Sequence, residues 1–313
     1  MRYVGIILLF WLTGCMSLFG QTITVMIDPG HGGSDPGHEA INSGQMDEKD
    51  LNLLIAKKFG NYLSTRLSHV KVIYTRTDDS FVSLDDRVEM ANSKDVDYFI
   101  SVHCNGSDNV NIHGTESHVH NHGASKSVKL AKIFEKEFST RAGRKSRGVK
   151  TTEDREHSLQ VLKFTEMTSV LVECGFVTNS TEAAYLNTDS GQDVLASALF
   201  RGLRTYLQEQ HPAIAFTETT GATGTNATAE NTESSGSTGY TVQIMSSKEP
   251  IDTGSESFKK LEKPVVREKI AETGYKYRYI TGTFTSKEAA NTYRDEVRKQ
   301  GFPDAIVVTK KKT

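Results

Sequence analysis

The chain has the length and composition of a globular protein with more than one domain. It contains 313 residues, of which 36% are hydrophobic and 24% charged, and its formal net charge is -2. The length suits about two domains, and the apolar fraction excludes a disordered chain. The near-neutral balance gives no electrostatic basis for nucleic-acid binding, so we expect no nucleic-acid partner.

An apolar segment at the start of the chain predicts export. After Arg2, residues 4–12 form an uncharged apolar run that is too short to span a bilayer and typical of a signal-peptide core, so residues 1–21 are interpreted as a signal peptide. The tetrapeptide Leu-Thr-Gly-Cys that ends at Cys15 resembles the lipobox of bacterial lipoproteins, in which the cysteine is lipidated. Lipidation of Cys15 and simple cleavage near Gly20 both stay open. Either fate places the protein in the periplasm or cell envelope.

Residues 22–210 alternate β-rich and helical patterns. Four short runs rich in β-branched and aromatic residues read TITVMID, VKVIYTR, DYFISVHCN and SVLVECGF, and segments with helical periodicity, such as EKDLNLLIAKKFGNYLSTRL, lie between them. Alternation of this kind is typical of α/β domains. We therefore predict a mostly parallel, twisted sheet flanked by helices.

A change of composition marks the end of this region. Residues 211–239 are rich in Thr, Gly and Ser, with little apolar surface to bury, and are predicted to be a flexible linker. Residues 240–313 carry 15 Lys and Arg against 10 Asp and Glu. Their pattern predicts a strand, a charged helix near residues 256–263, a second strand, a second helix and a last strand. The prediction for this piece is a small α+β domain.

Tyrosines and basic residues alternate along one predicted strand of the second domain. Tyr275, Tyr277 and Tyr279 share one face, and Lys276 and Arg278 share the other. One face must pack on the helices, and the other is available to a ligand. The sequence leaves open which face is which.

A glycine-rich loop follows the first predicted strand, in the stretch MIDPGHGGSDPG. Asp35 stands where a dinucleotide-binding loop has its third glycine, and His38 and Glu39 stand where a P-loop has Lys and Ser or Thr. Neither phosphate-binding motif is present. What remains is His31 on a glycine-rich backbone that we expect to turn tightly, with Asp28 fastening the turn or holding the second nitrogen of His31.

Other polar residues follow predicted strands in the same way. His103 and Glu173 each end a strand, and Glu48 begins the first long helix. Because function collects at the carboxyl ends of the strands in an open α/β sheet, we expect these side chains to lie near His31. Two imidazoles and a carboxylate suffice for a catalytic zinc, and a second carboxylate can act on the water. Taken singly, each residue also fits a structural role, and Glu48 fits the helix dipole.

Seven blocks of sequence, in order, resemble a known enzyme family. They read IDPGHGGSDPG, EKDLNL, YTRTDDSFVSLDDRVEMAN, DYFISVHCN, RGVK, VLKFTEMTSVLVECGFVTN and a closing helix. They are similar to the zinc-dependent N-acetylmuramoyl-L-alanine amidases of the amidase-3 family, over residues 24–208. The resemblance implies one Zn2+ held by His31, Glu48 and His103, with Glu173 as the catalytic carboxylate. It also implies hydrolysis of the amide between N-acetylmuramic acid and L-alanine in peptidoglycan.

The second domain resembles a SPOR domain through YTVQIMSS, YRYITGTFTSKEAANTYRDEVRKQG and DAIVV. The resemblance implies a ferredoxin-like fold that binds glycan strands stripped of their stem peptides, and enrichment at the division site. Peptidoglycan is then the partner of both domains. A wall-binding domain on a linker raises the local concentration of an insoluble substrate around the catalytic domain.

Three polar residues near the predicted site are candidates for substrate binding: Asn105, Arg76 and Arg87. The two arginines suit substrate carboxylates. The alternative for them is a salt bridge to Asp78, Asp85 or Asp86. The alternatives for Asn105 are orientation of the ligand shell and capping of the next turn.

The segment 106–124 allows two interpretations. His118, His120 and His122 recur at period 2, which fits an accessory metal-binding strip, while residues 113–123 also fit a polar hairpin that lines the cleft. Some members of the family carry a regulatory helix at this place that plugs the zinc site. The segment is too short for that helix, so we expect no obligatory protein activator.

Cys104 and Cys174 each follow a candidate site residue directly. Alternation along a strand sends them to the opposite face of the sheet, where we expect them to be buried. Free thiols and a bridge between the two both stay open.

The sequence supports one leading function and two alternatives. The leading function is a zinc amidase that cuts stem peptides from peptidoglycan and is targeted by its own wall-binding domain. A zinc peptidase acting within the stem peptide would use the same metal chemistry. A non-catalytic wall-binding protein would have lost a ligand or Glu173, and all four residues are present.

Overall fold

The computed structural model describes residues 22–212, 239–247, 249–269, 276–302 and 305–310. The predicted signal peptide with its Cys15, most of the predicted linker and Tyr275 lie outside these ranges. Within them, no helix has the length and apolar character needed to cross a membrane. The strands are β1 (Ile23–Pro29), β2 (Val70–Tyr74), β3 (Tyr98–Asn105), β4 (Thr115–His118), β5 (Ser146–Lys150), β6 (Thr168–Phe176), β7 (Gly239–Ser247), β8 (Val265–Lys269), β9 (Tyr277–Phe284) and β10 (Ile306–Lys310).

Polar side chains cap several of the helices. The helices of the described residues are α1 (Glu48–Arg66), α2 (Leu84–Ser93), α3 (Ser125–Thr140), α4 (Thr152–Arg155), α5 (Gln160–Lys163), α6 (Ser180–Leu186), α7 (Asp189–Gln210) and α8 (Lys287–Lys299). The residue before the helix accepts from a backbone N–H of the first turn in α2, α6, α7 and α8, through Ser83, Asn179, Thr188 and Ser286. Such caps satisfy donors that the helix itself leaves free.

The first domain contains a six-stranded sheet of order β2-β1-β3-β6-β4-β5. β2, β1, β3 and β6 run parallel to one another, β4 is antiparallel to β6, and β5 is parallel to β4. The prediction of a mostly parallel sheet flanked by helices is therefore confirmed. The carboxyl ends of the parallel strands meet at one edge of the sheet. His31 follows β1 at this edge, and His103 and Glu173 lie near the ends of β3 and β6.

Helices cover both faces of this sheet and form two apolar clusters. Alternate residues of β1, β3 and β6 point to α1, α3 and α7, and this cluster includes Cys104 and Cys174, both buried and free. The intervening residues, such as Met26, Phe99 and Leu171, point to α2 and α5 on the other face. Because the side-chain period of a strand is two, His103 and Glu173 lie on the face opposite the cysteines.

The two strands β4 and β5 were not predicted, and the interpretation of residues 113–123 as a polar hairpin is wrong. β4 lies inside the sheet between β6 and β5. Its polar side chains are buried because other elements supply partners: Thr115 and Ser117 donate to Glu135 of α3 at 3.0 and 2.8 Å. Buried hydroxyls that are hydrogen-bonded cost little, but such a strand shows no apolar alternation in the sequence.

The C-terminal domain is a four-stranded antiparallel sheet of order β10-β7-β9-β8 with α8 packed on one face. The helix predicted near residues 256–263 is not formed in the described residues. Turns occupy that stretch, because only Phe258 and Leu261 are buried there and Gly254 and Pro264 flank it. Tyr279 is fully buried in the core of the domain, so the tyrosine face of β9 is the covered one.

Candidate functional site

The loop after β1 carries His31 to the carboxyl edge of the sheet. His31 has a left-handed φ of 60°. Gly30 provides space, because a Cβ there would lie 2.1 Å from Cε1 of His103, and a Cβ on Gly37 would lie 2.6 Å from Oε2 of Glu48. The glycines of the loop are therefore needed for steric reasons as well as for the turn, because they leave space for the side chains of His103 and Glu48.

Glu48 is the centre of the candidate site. It lies in the first turn of α1, and its Oε1 is 3.2 Å from Nε2 of His31 and 3.0 Å from Nδ1 of His103. One possible ligand atom from each of the three residues lies within 4.8 Å of the others. Burial would raise the pKa of Glu48, but hydrogen bonds from the imidazoles, first that of His103, hold this pKa well below its ordinary value. The three residues could hold a metal ion.

Glu173 lies beside this centre on β6. His103 is its partner across the β3–β6 ladder, and Glu116 is its partner across the β4–β6 ladder. The Oε2 atom of Glu173 is inaccessible and has no hydrogen-bond partner in the described part of the chain. Burial, with Glu48 and Glu116 nearby, raises the pKa of Glu173 well above its ordinary value. A carboxyl in this environment readily holds a proton.

Two residues that support the centre were not predicted to do so. Asp35 Oδ2 lies 2.8 Å from Nδ1 of His31 and orients that ring, a role that was one of the two alternatives predicted for Asp28. His38 Nδ1 lies 2.8 Å from Oε2 of Glu48, and the backbone N–H of His38 donates to the same oxygen at 2.9 Å. The spacing of four residues between His31 and Asp35 is a sequence signal for the first contact, whereas the sequence marks His38 only as a residue that breaks the P-loop pattern.

Asp28 holds the end of β1 in place rather than the imidazole of His31. It is 1% exposed, pairs with Arg87, and accepts from Thr75 Oγ1 at 2.6 Å and from Ser101 Oγ at 2.7 Å. Burial would raise the pKa of Asp28, but Arg87 and the two hydroxyls outweigh it and lower that pKa. The buried carboxylate is thus paired and hydrogen-bonded, as a buried charge must be.

Arg76 and Arg87 hold the loop through its backbone. Arg76 Nη2 donates to the carbonyl oxygen of Gly30 at 2.8 Å, and Arg87 Nη2 donates to that of His31 at 2.7 Å. The carboxylate that pairs with Arg87 is Asp28, so the alternative of a salt bridge to one of the three nearby aspartates is wrong for Arg87. A substrate contact for either arginine stays a prediction.

Glu116 of β4 is a further acidic residue of the site that sequence analysis missed. It pairs with Arg147, and its Oε2 lies 3.5 Å from Nε2 of His118. Burial would raise the pKa of Glu116, but His118 and Arg147 lower it to about 2. The site therefore places a carboxylate that stays ionised directly opposite Glu173.

Asn105 caps the turn that follows β3. Its Oδ1 accepts from the N–H of the next residue at 2.8 Å. This contact matches one of the predicted alternatives, and a substrate contact for Asn105 stays a prediction.

The accessory histidine strip is not formed as a metal site. His118 and His120 are buried, whereas His122 is exposed. Across the described ranges, the grouping of possible metal ligands is the one around Glu48.

The fold and the site together define an α/β protein with a candidate metal centre at the carboxyl edge of its main sheet. Comparison with family models identifies the family of each domain. The N-acetylmuramoyl-L-alanine amidase model matches residues 25–205, and the SPOR domain model matches residues 236–309. The chain therefore belongs to the N-acetylmuramoyl-L-alanine amidase family and carries a C-terminal SPOR domain.

Individual relatives agree with this assignment. N-acetylmuramoyl-L-alanine amidase LytC of Bacillus subtilis is 36% identical over 184 residues, which are 58% of this chain and 35% of LytC, so the chain spans about a third of that relative. An N-acetylmuramoyl-L-alanine amidase structure from Clostridium difficile 630 is 35% identical with a TM-score of 0.57, over 61% of this chain and all of that one. The catalytic domain of CwlV from Bacillus (Paenibacillus) polymyxa var. colistinus is 32% identical with a TM-score of 0.54, over 60% and 99% of the two chains.

Proposed function

We propose that this protein hydrolyses the amide bond between N-acetylmuramic acid and L-alanine in peptidoglycan, with one zinc ion in its catalytic domain. The observation that carries the proposal is the convergence of His31, Glu48 and His103 beside a buried, unpaired oxygen of Glu173, in a chain of the amidase family. A zinc hydrolase uses such a metal centre with a carboxyl next to it.

The donor set fits zinc. Imidazole nitrogens and carboxylate oxygens bind zinc at about 2.0–2.2 Å, which in a tetrahedral site separates neighbouring donors by about 3.4 Å. Oε1 of Glu48 lies 3.2 Å from the donor atom of His31 and 3.0 Å from that of His103. Two imidazoles and one carboxylate also leave a fourth position for substrate or water. The chemistry that zinc supplies when bound there is Lewis acidity toward the scissile carbonyl and the attacking water.

Glu173 is proposed to move the protons of the reaction. Its Oε2 has no hydrogen-bond partner among the described atoms, and we propose that Glu173 accepts a proton from the attacking water and delivers it to the leaving amine of L-alanine. The raised pKa of Glu173 favours the protonated form that the second of these steps requires. Once Glu173 has taken the proton from the water, the ionised Glu116 across the strand disfavours a second negative charge and so stabilises that proton on Glu173 until it passes to the amine.

Around this centre, other residues position the reacting groups. Arg76 and Arg87 fix the backbone of the His31 loop, and Asp35 fixes the ring of His31. Contacts of Asn105, Arg76 or Arg87 with the stem peptide are part of the proposal and rest on their place next to the centre.

The remaining parts of the chain are proposed to deliver the catalytic domain to its substrate. Residues 1–21 act as a signal peptide, with a lipid anchor at Cys15 as one outcome of export, residues 22–210 form the catalytic domain and residues 211–239 the linker. The domain of residues 240–313 binds glycan strands. The expected location is the periplasm or cell envelope, with enrichment at the division site.

The function is tested by mass analysis of fragments released from purified peptidoglycan, with and without a chelator. The proposal expects intact stem peptides that begin with L-alanine, together with uncut glycan, and no release after chelation. Shorter peptides would instead identify a peptidase acting within the stem. Binding without any released fragment would identify a non-catalytic wall-binding protein.

A further inference from the structure

The sheet of the C-terminal domain has one face that its own residues cover and one that they do not. Val242, Tyr279 and Val307 point to the covered face, where they pack with Phe258 and with Tyr293 of α8. Neighbouring residues on the same strands point the other way. We call this second surface the outer face and define it by Gln243, Arg278, Ile280, Ile306 and Val308.

The outer face packs on the catalytic domain. Ile306 and Val308 are 0% and 2% exposed. They belong to the same apolar cluster as Val88 of α2 and Val161 and Leu162 of α5. Removing these side chains from water stabilises a contact between the two domains.

Ion pairs surround the apolar contact. Nη1 of Arg294 lies 2.6 Å from Oδ2 of Asp85, and Nζ of Lys287 lies 2.7 Å from Oε2 of Glu89. The cations belong to α8 and the carboxylates to α2. The basic C-terminal domain thus meets an acidic helix of the catalytic domain, and the partly exposed pairs are sensitive to salt.

Polar groups of the outer face are buried as well. Arg278 pairs with Glu166 of the catalytic domain. Gln243 is 1% exposed, and its Oε1 has no hydrogen-bond partner within the described ranges. A buried amide oxygen without a donor is a cost of the docked arrangement, and a ligand rich in hydroxyl groups could satisfy it.

We propose that the outer face is a shared surface, occupied by the catalytic domain in a closed chain and by glycan strands in the wall-bound chain. The opposite face is filled by the core of the domain, so the outer face is the side of this sheet on which a polymer can lie. The two occupants exclude each other, and wall binding therefore releases the catalytic domain. This inference rests on the proposed wall-binding function of the C-terminal domain.

Docking should weaken wall binding by a predictable factor. When only a fraction of chains is open, the apparent dissociation constant for glycan is the intrinsic one divided by that fraction. If about one chain in ten is open, a variant that opens the chain binds about tenfold more tightly.

The experiment uses the full chain in a Glu173→Ala background, so that the wall is not digested. Arg294→Glu places a second carboxylate against Asp85, and Asp85→Arg combined with Arg294→Glu restores an attractive pair. Lys299→Glu makes the same charge change at an exposed position of α8 and is the matched control. Ile306→Thr weakens the apolar contact and keeps a β-branched residue on β10. Small-angle scattering measures the radius of gyration, and co-sedimentation with peptide-free peptidoglycan measures binding.

We expect Arg294→Glu and Ile306→Thr to enlarge the radius of gyration and to tighten binding, the double variant to return both toward the parent, and Lys299→Glu to leave both unchanged. Expansion without tighter binding would overturn the shared surface. An unchanged radius of gyration in both Arg294→Glu and Ile306→Thr would show that the closed chain does not exist in solution. This result would also overturn the shared surface. If neither the parent nor any variant sediments with peptidoglycan, the proposed wall-binding function is wrong, and the competition proposed here is wrong with it. This outcome differs from the others because binding is absent in every sample.

Discussion

At the scale of single residues, the site depends on one carboxylate and the groups that surround it. Glu48 accepts hydrogen bonds from His38 and lies within 3.2 Å of nitrogens of His31 and His103. Its two oxygens therefore face different groups: Oε1 faces the two proposed ligands, and Oε2 faces His38. This division fits the proposal that Oε1 is the ligand atom, while His38 orients the carboxylate through Oε2.

Loss of the proposed ligands and loss of the proposed acid should have different effects. Glu173→Ala should abolish release of stem peptides and retain zinc, because Glu173 is not among the proposed ligands. His31→Ala should lose the zinc as well as the activity. Metal content per protein, measured together with activity on both variants, checks the assignment. Zinc lost from Glu173→Ala, or retained at full occupancy by His31→Ala, would contradict it.

His38 should matter for metal affinity although it is not a proposed ligand. His38→Ala removes the side-chain donor that faces Oε2 of Glu48, and losses of such orienting groups typically weaken metal binding about 10–100-fold. Zinc affinity measured by competition with a chelator tests this. His113→Ala, an exposed histidine in the segment after β3, is the control and should leave the affinity unchanged.

At the scale of secondary-structure elements, β1 and α2 are joined by a buried ion pair. Asp28 of β1 and Arg87 of α2 are 1% and 3% exposed, and the same guanidinium holds the carbonyl oxygen of His31. α2 also carries Asp85 and Glu89, which face the C-terminal domain. One helix thus contacts the His31 loop on one side and the docked domain on the other.

Arg87→Met should destabilise the catalytic domain strongly. The substitution leaves the carboxylate of Asp28 buried without its cation, which costs about 3–5 kcal/mol in comparable cases. Chemical denaturation of the full chain should show the loss in the transition of the catalytic domain. Lys57→Met, a change of the same kind at an exposed position of α1, should cost little. A loss below about 1 kcal/mol for Arg87→Met would mean that the pair is not buried as described.

At the scale of the whole molecule, the short connection between β3 and α3 leaves the proposed metal centre accessible. In the described structure this connection contains β4 and turns, and side chains of His31 and His103 are 25% and 16% exposed. Nothing in these residues is long enough to serve as a plugging helix.

The purified full chain should release stem peptides from peptidoglycan without any added protein. The physical reason is that the proposed centre is open to solvent in the described arrangement. Turnover measured on purified peptidoglycan, with zinc present and no other protein, is the test. Activity that appears only after a partner protein is added would contradict it, and an activity lost on chelation and restored by zinc serves as the positive control.

Local patterns predicted the parallel part of the fold and the place of the proposed centre. The apolar runs of β1, β3 and β6 are evident because these strands are buried on both faces, and parallel strands put His31, His103 and Glu173 at one edge. The buried position of Cys104 follows from alternation alone. Membership of the family was evident from seven sequence blocks because each block is a short local motif.

Features that depend on distant partners were decided by the tertiary structure alone. The polar strand β4 is buried because Glu135 of α3 accepts hydrogen bonds from its hydroxyls. Asp28 pairs with Arg87, which is 59 positions away in the chain. Glu116 lies at the site because β4 pairs with β6 in the sheet. The docking of the C-terminal sheet belongs to the same group. By itself, the sequence determined the enzyme family, the parallel core and the residues of the proposed centre, since these follow from local periodicity and short motifs. The tertiary structure decided which carboxylates are paired, which polar strand is buried and which sheet face is covered, because those depend on contacts that no local pattern encodes.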